Sequence, residues 1–257
     1  MSKKEDRRKK IVEIIKENNG ASVKDLAARL DVSDMTIRRD IKFLEGKNIV
    51  ESFHGSIVYN AKNDNPVDEY NLNKNSLIKD REKELIGQKA RQMIKKDDII
   101  IIDIGTTTEK LSQAMTNDIS CTALVFSTNN LVNLLFKENI DLIVAGGTLH
   151  RDSGMMESSA NLEMIKNIRA SKLFLSAAGI HQDLGLTCEN SYELESKKMI
   201  IKNSLEIILL ADSSKFGKVK STHFAELSDI DTIITDDKIS DGWVEIIKEK
   251  DIKLIIV

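Results

Sequence analysis

Seven short aliphatic runs recur in the later part of the chain, at residues 99–103, 122–126, 141–145, 172–177, 206–211, 232–235 and 253–257. They are mostly apolar throughout and do not alternate with polar residues. Successive side chains of a β-strand point to opposite faces, so a run without a polar face must be covered on both sides. Helical spacing fills the intervals between the runs. Strand–helix alternation of this kind predicts a mainly parallel sheet with helices on both faces, an α/β arrangement. Aromatics make up only 4% of the 257 residues and Pro66 is the single proline, so the core is expected to be aliphatic and the loops short. A hydrophobic fraction of 41% with 31% charged residues excludes a disordered chain or a small disulfide-stapled one.

The first sixty residues follow a different pattern. Ile11, Ile14 and Ile15 recur at helical spacing and predict an amphipathic helix stopping at Asn18-Asn19-Gly20. Ser22-Val-Lys-Asp25 has the form of a capping box, opening a short second helix with Val23, Leu26, Ala27 and Leu30 as its buried stripe. Asp31-Val32 makes a tight turn, and Ser33 is the expected N-cap of a third helix ending at Gly46. On that helix Ile37, Ile41 and Leu44 share one face. Met35, Arg39 and Lys42 fall nearly opposite, with Thr36 and Arg38 flanking. The strip Ile49-Val-Glu-Ser-Phe-His-Gly-Ser-Ile-Val58 alternates around His54-Gly55 as a small hairpin does. Helix, short helix, turn, basic third helix and hairpin together predict a winged helix-turn-helix, whose third helix enters the DNA major groove. The alternative is a three-helix packing module whose arginines are only solvated.

Charge is distributed in the same sense. Residues 1–60 carry 13 Lys and Arg against 10 Asp and Glu, although the whole chain has a formal charge of −3. The polar stretch 60–66, which holds the only proline, marks the boundary. The expected domains are residues 1–59 for DNA binding, a linker over 60–75, and a second domain over 76–257. Leu77, Ile78, Leu85, Ile86, Ala90, Met93 and Ile94 predict that this domain opens with a helix.

Small and polar residues punctuate the carboxyl ends of the predicted strands, where ligands of parallel sheets bind. Asp103-Ile-Gly-Thr-Thr-Thr108 follows the first of them and opens a helix, so it offers free N–H groups and a favourable dipole to an anion. No P-loop motif is present. Ser127-Thr-Asn-Asn130, Ala145-Gly-Gly-Thr148, Ala178-Gly179 and Ala211-Asp-Ser-Ser-Lys-Phe-Gly217 hold equivalent positions. Together they predict a polar pocket with one cation, Lys215, suited to phosphate and hydroxyls.

Two stretches resemble a known family. Val32-Ser-Asp-Met-Thr-Ile-Arg-Arg-Asp-Ile-Lys-Phe-Leu44, preceded by Leu26-Ala-Ala-Arg-Leu30, is similar to the recognition-helix signature of the DeoR family of bacterial transcription regulators. The second half resembles that family's sensor domain at Asp103-Ile-Gly-Thr-Thr-Thr108, Ser127-Thr-Asn129, Gly146-Gly147, Gly185-Leu-Thr187, Glu195-Ser-Lys197 and Asp212-Ser-Ser-Lys-Phe-Gly217. The resemblance implies a fold similar to ribose-5-phosphate isomerase and a phosphorylated sugar or related metabolite as effector. It implies DNA contacts from Ser33, Thr36, Arg38 and Arg39, to which the exposed face adds Met35 and Lys42, and the wing His54. It implies phosphate on Gly105, Thr106 and Thr107, with Asp103, Thr128, Asn129, Gly147 and Lys215 facing sugar or phosphate. Asp40, beside the buried face, reads as a structural partner for a cation. Glu195 and Lys197 fit either a ligand contact or an internal pair. Ser176-Ala-Ala-Gly179 departs from the family, which commonly has an acidic residue before the glycine.

The expected function is therefore that of a sequence-specific transcription regulator, a repressor of a sugar-utilisation operon, acting on double-stranded operator DNA as a homo-oligomer (dimer or tetramer). A two-fold dimer would set two recognition helices one DNA turn apart, about 34 Å. The alternative is a sugar-phosphate isomerase with an added domain. Isomerisation needs a carboxylate base, for which Asp152 is the candidate, but the glycine-rich, glutamate-bearing motif of those enzymes is absent. No catalytic residue, cofactor or metal is expected. Cys121 and Cys188 lie far apart, and His181 and His223 lack partners at ligand spacing. His150 fits either a pocket or a surface loop, and Trp243 is expected to anchor the last helix. Without a membrane-length apolar run or a signal peptide, the expected location is the cytoplasm.

Overall fold

The structure is a computed structural model, described over residues 3–17, 21–45, 49–53, 56–59 and 79–257. The chain divides into two compact units, Met1–Asp68 and Glu69–Val257.

In the first unit, helices α1 (Lys3–Glu17), α2 (Val23–Leu30) and α3 (Asp34–Glu45) accompany strands β1 (Ala21–Ser22), β2 (Val50–Phe53) and β3 (Ser56–Tyr59). The strands form an antiparallel sheet in the order β1-β3-β2, with Ala21 opposite Ile57 and Val50 opposite Tyr59. The predicted capping box is present: Ser22 Oγ accepts from Asp25 N at 3.1 Å, and Asp25 Oδ2 accepts from Ser22 N at 3.3 Å. Asp31 turns the chain between α2 and α3 in the left-handed region, at φ 49°. Ile11, Ile15, Leu26, Ile37, Ile41, Leu44, Val50 and Ile57 make a common core. The predicted stops at Asn18-Asn19-Gly20 and Gly46, and the wing tip His54-Gly55, lie outside the described residues.

The second unit is built on a seven-stranded sheet in the order β15-β14-β12-β9-β4-β5-β6, every neighbouring pair parallel. Its strands are β4 (Ile99–Ile102), β5 (Cys121–Val125), β6 (Ile140–Val144), β9 (Ala170–Leu175), β12 (Ser204–Leu210), β14 (Thr232–Thr235) and β15 (Lys253–Ile256). Both faces are aliphatic, which is why the runs do not alternate. Ile100, Ile102, Val125, Phe174, Ile208 and Ile234 pack under α4 (Asp80–Arg91), α5 (Thr106–Ala114) and α6 (Thr128–Leu134). Ile101, Leu124, Leu173, Leu175, Leu209 and Ile233 belong to the opposite core, with α7 (Ser159–Asn167), α8 (Leu194–Lys202) and α9 (Asp241–Glu249). Trp243 on α9 meets Phe216 edge to face at 5.2 Å, which fixes that helix as expected.

Two small additions were not foreseen. Strands β10 (Gly179–His181), β11 (Gly185–Cys188) and β13 (Thr222–Ala225) make an antiparallel sheet. Strands β7 (Thr148–Leu149) and β8 (Met156–Glu157) make a hairpin. The chain leaves β4 toward β5 and β6, then returns to β9 on the other side of β4. Ligands of open parallel sheets bind at such a reversal of strand order, outside the carboxyl ends. Among the described residues no helix is long and apolar enough to cross a membrane.

Candidate functional site

The first candidate surface is the outer face of α3. Ile37, Asp40, Ile41 and Leu44 are buried, whereas Ser33, Met35, Arg38, Arg39 and Lys42 are exposed and Thr36 is half-buried. Ser33 caps the helix: Thr36 N donates to its Oγ at 3.3 Å, and the two hydroxyls lie 3.0 Å apart. The buried carboxylate of Asp40 accepts from Arg7 Nε at 2.7 Å and from Arg8 Nε at 2.8 Å. Arg8 also stacks over the Phe43 ring at 3.5 Å. Two arginines of α1 thus fix the orientation of α3 and leave Arg38 and Arg39 outward. His54 lies outside the described residues.

The second lies at the switch between β4 and β9. Gly105 sits at φ 148° as the N-cap of α5, and a Cβ there would lie 2.8 Å from Ser176 Oγ. Having no side chain, it caps none of the first N–H groups of α5. Gly105, Thr106 and Thr107 at the start of α5, Ser176, Ala177 and Ala178 after β9, and Glu189, Glu193, Lys197 and Lys215 form the walls of a cleft.

Asp103 lies beneath this cleft, fully buried, and does not line it. Its Oδ2 accepts from Ser176 N and Ser176 Oγ, both at 3.0 Å, and from Lys197 Nζ at 2.5 Å. Its Oδ1 has no partner among the described residues. Lys197 also donates to Ser176 O at 3.1 Å, stands 3.8 Å from Glu193 Oε2 and lies 4.9 Å from the Phe224 ring centroid. Burial works against its charge, but Asp103 and then Glu193 hold its pKa above the ordinary lysine value. Burial likewise pushes the Glu193 carboxyl above the usual range, against the pull of Lys197. Lys197 is internally paired, but not with Glu195, the partner that the sequence suggested. Its partners are Asp103 and Glu193, while Glu195 is exposed.

The other predicted residues stand apart from these walls. Thr128 N donates to Gly154 O at 2.9 Å, and Asn129 Nδ2 donates to Glu109 Oε2 at 3.1 Å on the first turn of α5. Gly147, at φ 151°, serves the β7–β8 hairpin, where a Cβ would meet Glu157 O at 2.2 Å. His150 stacks on Tyr192 at 3.7 Å, and the Tyr192 hydroxyl donates to Asp152 Oδ2 at 3.0 Å. The Asp152 carboxylate is therefore already engaged. Glu193 escaped the sequence reading, although Asn190 and Glu193 have capping-box spacing, and the box is formed.

Helix α4, the first described element after residue 59, is tied to both sides of the cleft. Lys79, just before it, donates to Ser213 Oγ and lies 3.9 Å from Asp212 Oδ1 and 3.8 Å from Asp236 Oδ1. Asp80 pairs with Lys110 of α5 at 2.7 Å. Burial draws the Lys83 ammonium down to about 8, while neighbouring Asp212 acts in the opposite direction. Burial pushes the thiols up to about 11 at Cys121 and about 12 at Cys188, so both stay protonated at neutral pH. Among the described residues, no group of three or more His, Cys, Asp or Glu is placed to hold a metal.

Comparison with known proteins gives two family matches: the DeoR-like helix-turn-helix domain over residues 7–63, and the DeoR C terminal sensor domain over residues 78–237. The HTH-type transcriptional regulator GolR of Listeria innocua is 30% identical over 91% of this chain and 91% of its own. The glycerol-3-phosphate regulon repressor of Haemophilus influenzae is 31% identical over 97% of this chain and 96% of its own. The deoxyribose operon repressor of Escherichia coli K12 is 28% identical over 99% of each. Among solved structures, ribose 5-phosphate isomerase A of Methanocaldococcus jannaschii aligns with a TM-score of 0.38 at 15% identity, over 52% of this chain and 53% of its own.

Proposed function

Because the chain belongs to the DeoR family and is a DNA-binding transcription regulator, not an enzyme, we propose that it represses a sugar-utilisation operon and that a phosphorylated sugar in the switch-point cleft modulates its operator affinity. In this reading α3 lies in the major groove. Ser33, Thr36, Arg38 and Arg39 meet bases and phosphates, with Met35 and Lys42 on the same face and His54 on the wing. The N–H groups of Gly105, Thr106 and Thr107, with Lys215, hold the phosphate. Asp103 positions Lys197 and Ser176 beneath the sugar, while Thr128 and Asn129 stand at the neighbouring strand end and Gly147 shapes the loop beyond. Residues 1–59 read DNA, 60–75 connect, and 76–257 sense. The protein acts as a dimer or tetramer in the cytoplasm, where operator and metabolite meet.

The observation that carries this reading is the division of α3, a buried aliphatic face anchored through Asp40 against an outward face bearing Arg38, Arg39 and Lys42. Regulation further requires that the effector bind DNA-competent and DNA-incompetent states unequally. The test is fluorescence anisotropy on duplexes from the protein's own upstream region, in a salt series. Specific binding strengthens as salt falls, and removing one phosphate contact lowers the salt slope by about 1. Arg38→Ala and Arg39→Ala are each expected to weaken operator binding by about tenfold or more, equivalent to about 1–3 kcal/mol. Absence of salt-sensitive, sequence-preferring binding in the folded protein refutes the reading.

A further inference from the structure

One edge of the seven-stranded sheet is apolar and open. β6 ends the strand order, and no strand of the described residues pairs on its outer side. Beside it, α6 and the turn that follows expose Val132 (65%), Leu135 (55%) and Phe136 (82%), which share one side at i, i+3 and i+4. Leu142 and Val144 of β6 are half-buried and pack in the same layer as α6, so strand and helix end make one apolar strip. A solvated aromatic beside an unpaired strand marks an interaction surface.

The backbone of β6 selects its partner. Cys121 N donates to Asn139 O, and Ala145 N donates to Val125 O. Alternate residues of a parallel strand bond to the same neighbour, so Asp141 and Ile143 also face β5. Leu142 and Val144 therefore direct their N–H and C=O groups outward. Ile140 cannot donate with them, because its N–H is bonded to Lys137 O at 3.1 Å. The β6 strand of a second copy fits these two residues when turned about a two-fold axis through Ile143. Leu142 then exchanges both backbone hydrogen bonds with Val144 of the second copy, and Ile143 faces its own counterpart. Asp141 falls opposite Ala145, so no like charges meet. α6 runs back along the sheet from β5 to β6, so the same axis lays the two α6 helices antiparallel on one face of the seam. The far edge lacks this match: β15 opens with exposed Lys253, next to the charges of Lys248 and Asp251. Edge lysines guard a strand against such pairing.

We propose that β6 and the end of α6 are the face on which two copies of this chain join, continuing the sheet across Ile143. This rests on the assembly reading given above and supplies its surface. The pairing is isologous, each copy giving the same patch, as a two-fold dimer requires.

Light scattering and sedimentation of the full chain over a concentration series test it. Phe136→Asp is expected to raise the self-association Kd about thirtyfold or more, halving the mass of the assembly where the wild type is fully associated. Leu135→Asp serves in its place if that variant does not fold. Leu205→Asp, at an 86% exposed position on β12, is the control and is expected to leave the mass unchanged. Ile143→Cys is expected to give a covalent dimer on mild oxidation. Facing residues of a non-hydrogen-bonded antiparallel pair have Cα atoms about 4.5 Å apart, within disulfide reach. Asp141→Cys, displaced along the strand from its counterpart, is expected to stay uncrosslinked, and the native Cys121 and Cys188 are buried. A mass unchanged by the aspartate variants, or cross-linking that fails at Ile143→Cys or is as strong at Asp141→Cys, overturns this surface and leaves the assembly reading standing. A wild-type chain that is monomeric throughout the series overturns both.

Discussion

Lys197 reaches a carboxylate 94 positions earlier in the chain, and both groups are withdrawn from water. Their mutual attraction offsets the cost of burying either charge, so removing one member leaves the other uncompensated. Lys197→Met is expected to destabilise the sensor unit by about 3–5 kcal/mol, measured as a lowered urea midpoint. Asp103→Asn in the same chain should restore part of that loss, and strictly additive losses would show that the two do not act as a pair. The contrast with Asp40 shows what was legible at this scale. An acidic residue beside the buried face of α3 signals its need for a cation from helical periodicity alone, and Arg7 and Arg8 supply it. Nothing local marks Lys197 for Asp103, because only the return of the chain to β9 and then α8 brings them together. The same non-locality hid the tie of Ser176 to Asp103, whereas Gly105, Thr106 and Thr107 declare themselves by following one strand and opening one helix.

Helices and strands were legible where burial has a period. The sheet is covered on two sides, and its strands accordingly read as continuous apolar runs. Strands β7, β8, β10 and β11 are two to four residues long, and glycines open β10 and β11, too short for any periodicity to emerge. One element contact has direct leverage on the cleft. At Gly87 of α4 the backbone of α5 comes so close that a Cβ would lie 2.6 Å from the carbonyl carbon of Lys110 and 2.7 Å from Leu111 N. Backbone atoms cannot swing aside as a side chain can, so Gly87→Ala must push the two helices apart. The expected result is a loss of about 1–3 kcal/mol in stability from overpacking. A parallel drop in phosphate affinity is expected, because the first turn of α5 carries the N–H groups proposed to hold the phosphate. Calorimetry with inorganic phosphate alongside thermal melting separates the two effects. An unchanged Kd would show that the first turn holds its place when the helix shifts.

Across the whole molecule, DNA reading and metabolite sensing occupy different compact units, and the formal charge of −3 averages a slightly basic first part with an acidic remainder. Effector and operator act on one chain, so their effects on each other are bound by thermodynamics: whatever factor the effector applies to operator affinity, the operator applies to effector affinity. Such factors are typically about 5–150-fold. Anisotropy with saturating effector and calorimetry with saturating operator should return the same number, and unequal factors would mean that a further equilibrium, such as assembly, intervenes. The parallel sheet has a consequence for synthesis as well. The cleft proposed to hold the phosphate is lined by residues 105–107, which follow β4, and by Lys215, which follows β12. A chain leaving the ribosome therefore completes its DNA-reading unit some 150 residues before it can hold a metabolite. On the proposed reading, a truncation short of Lys215 leaves a reader whose operator affinity no metabolite can change.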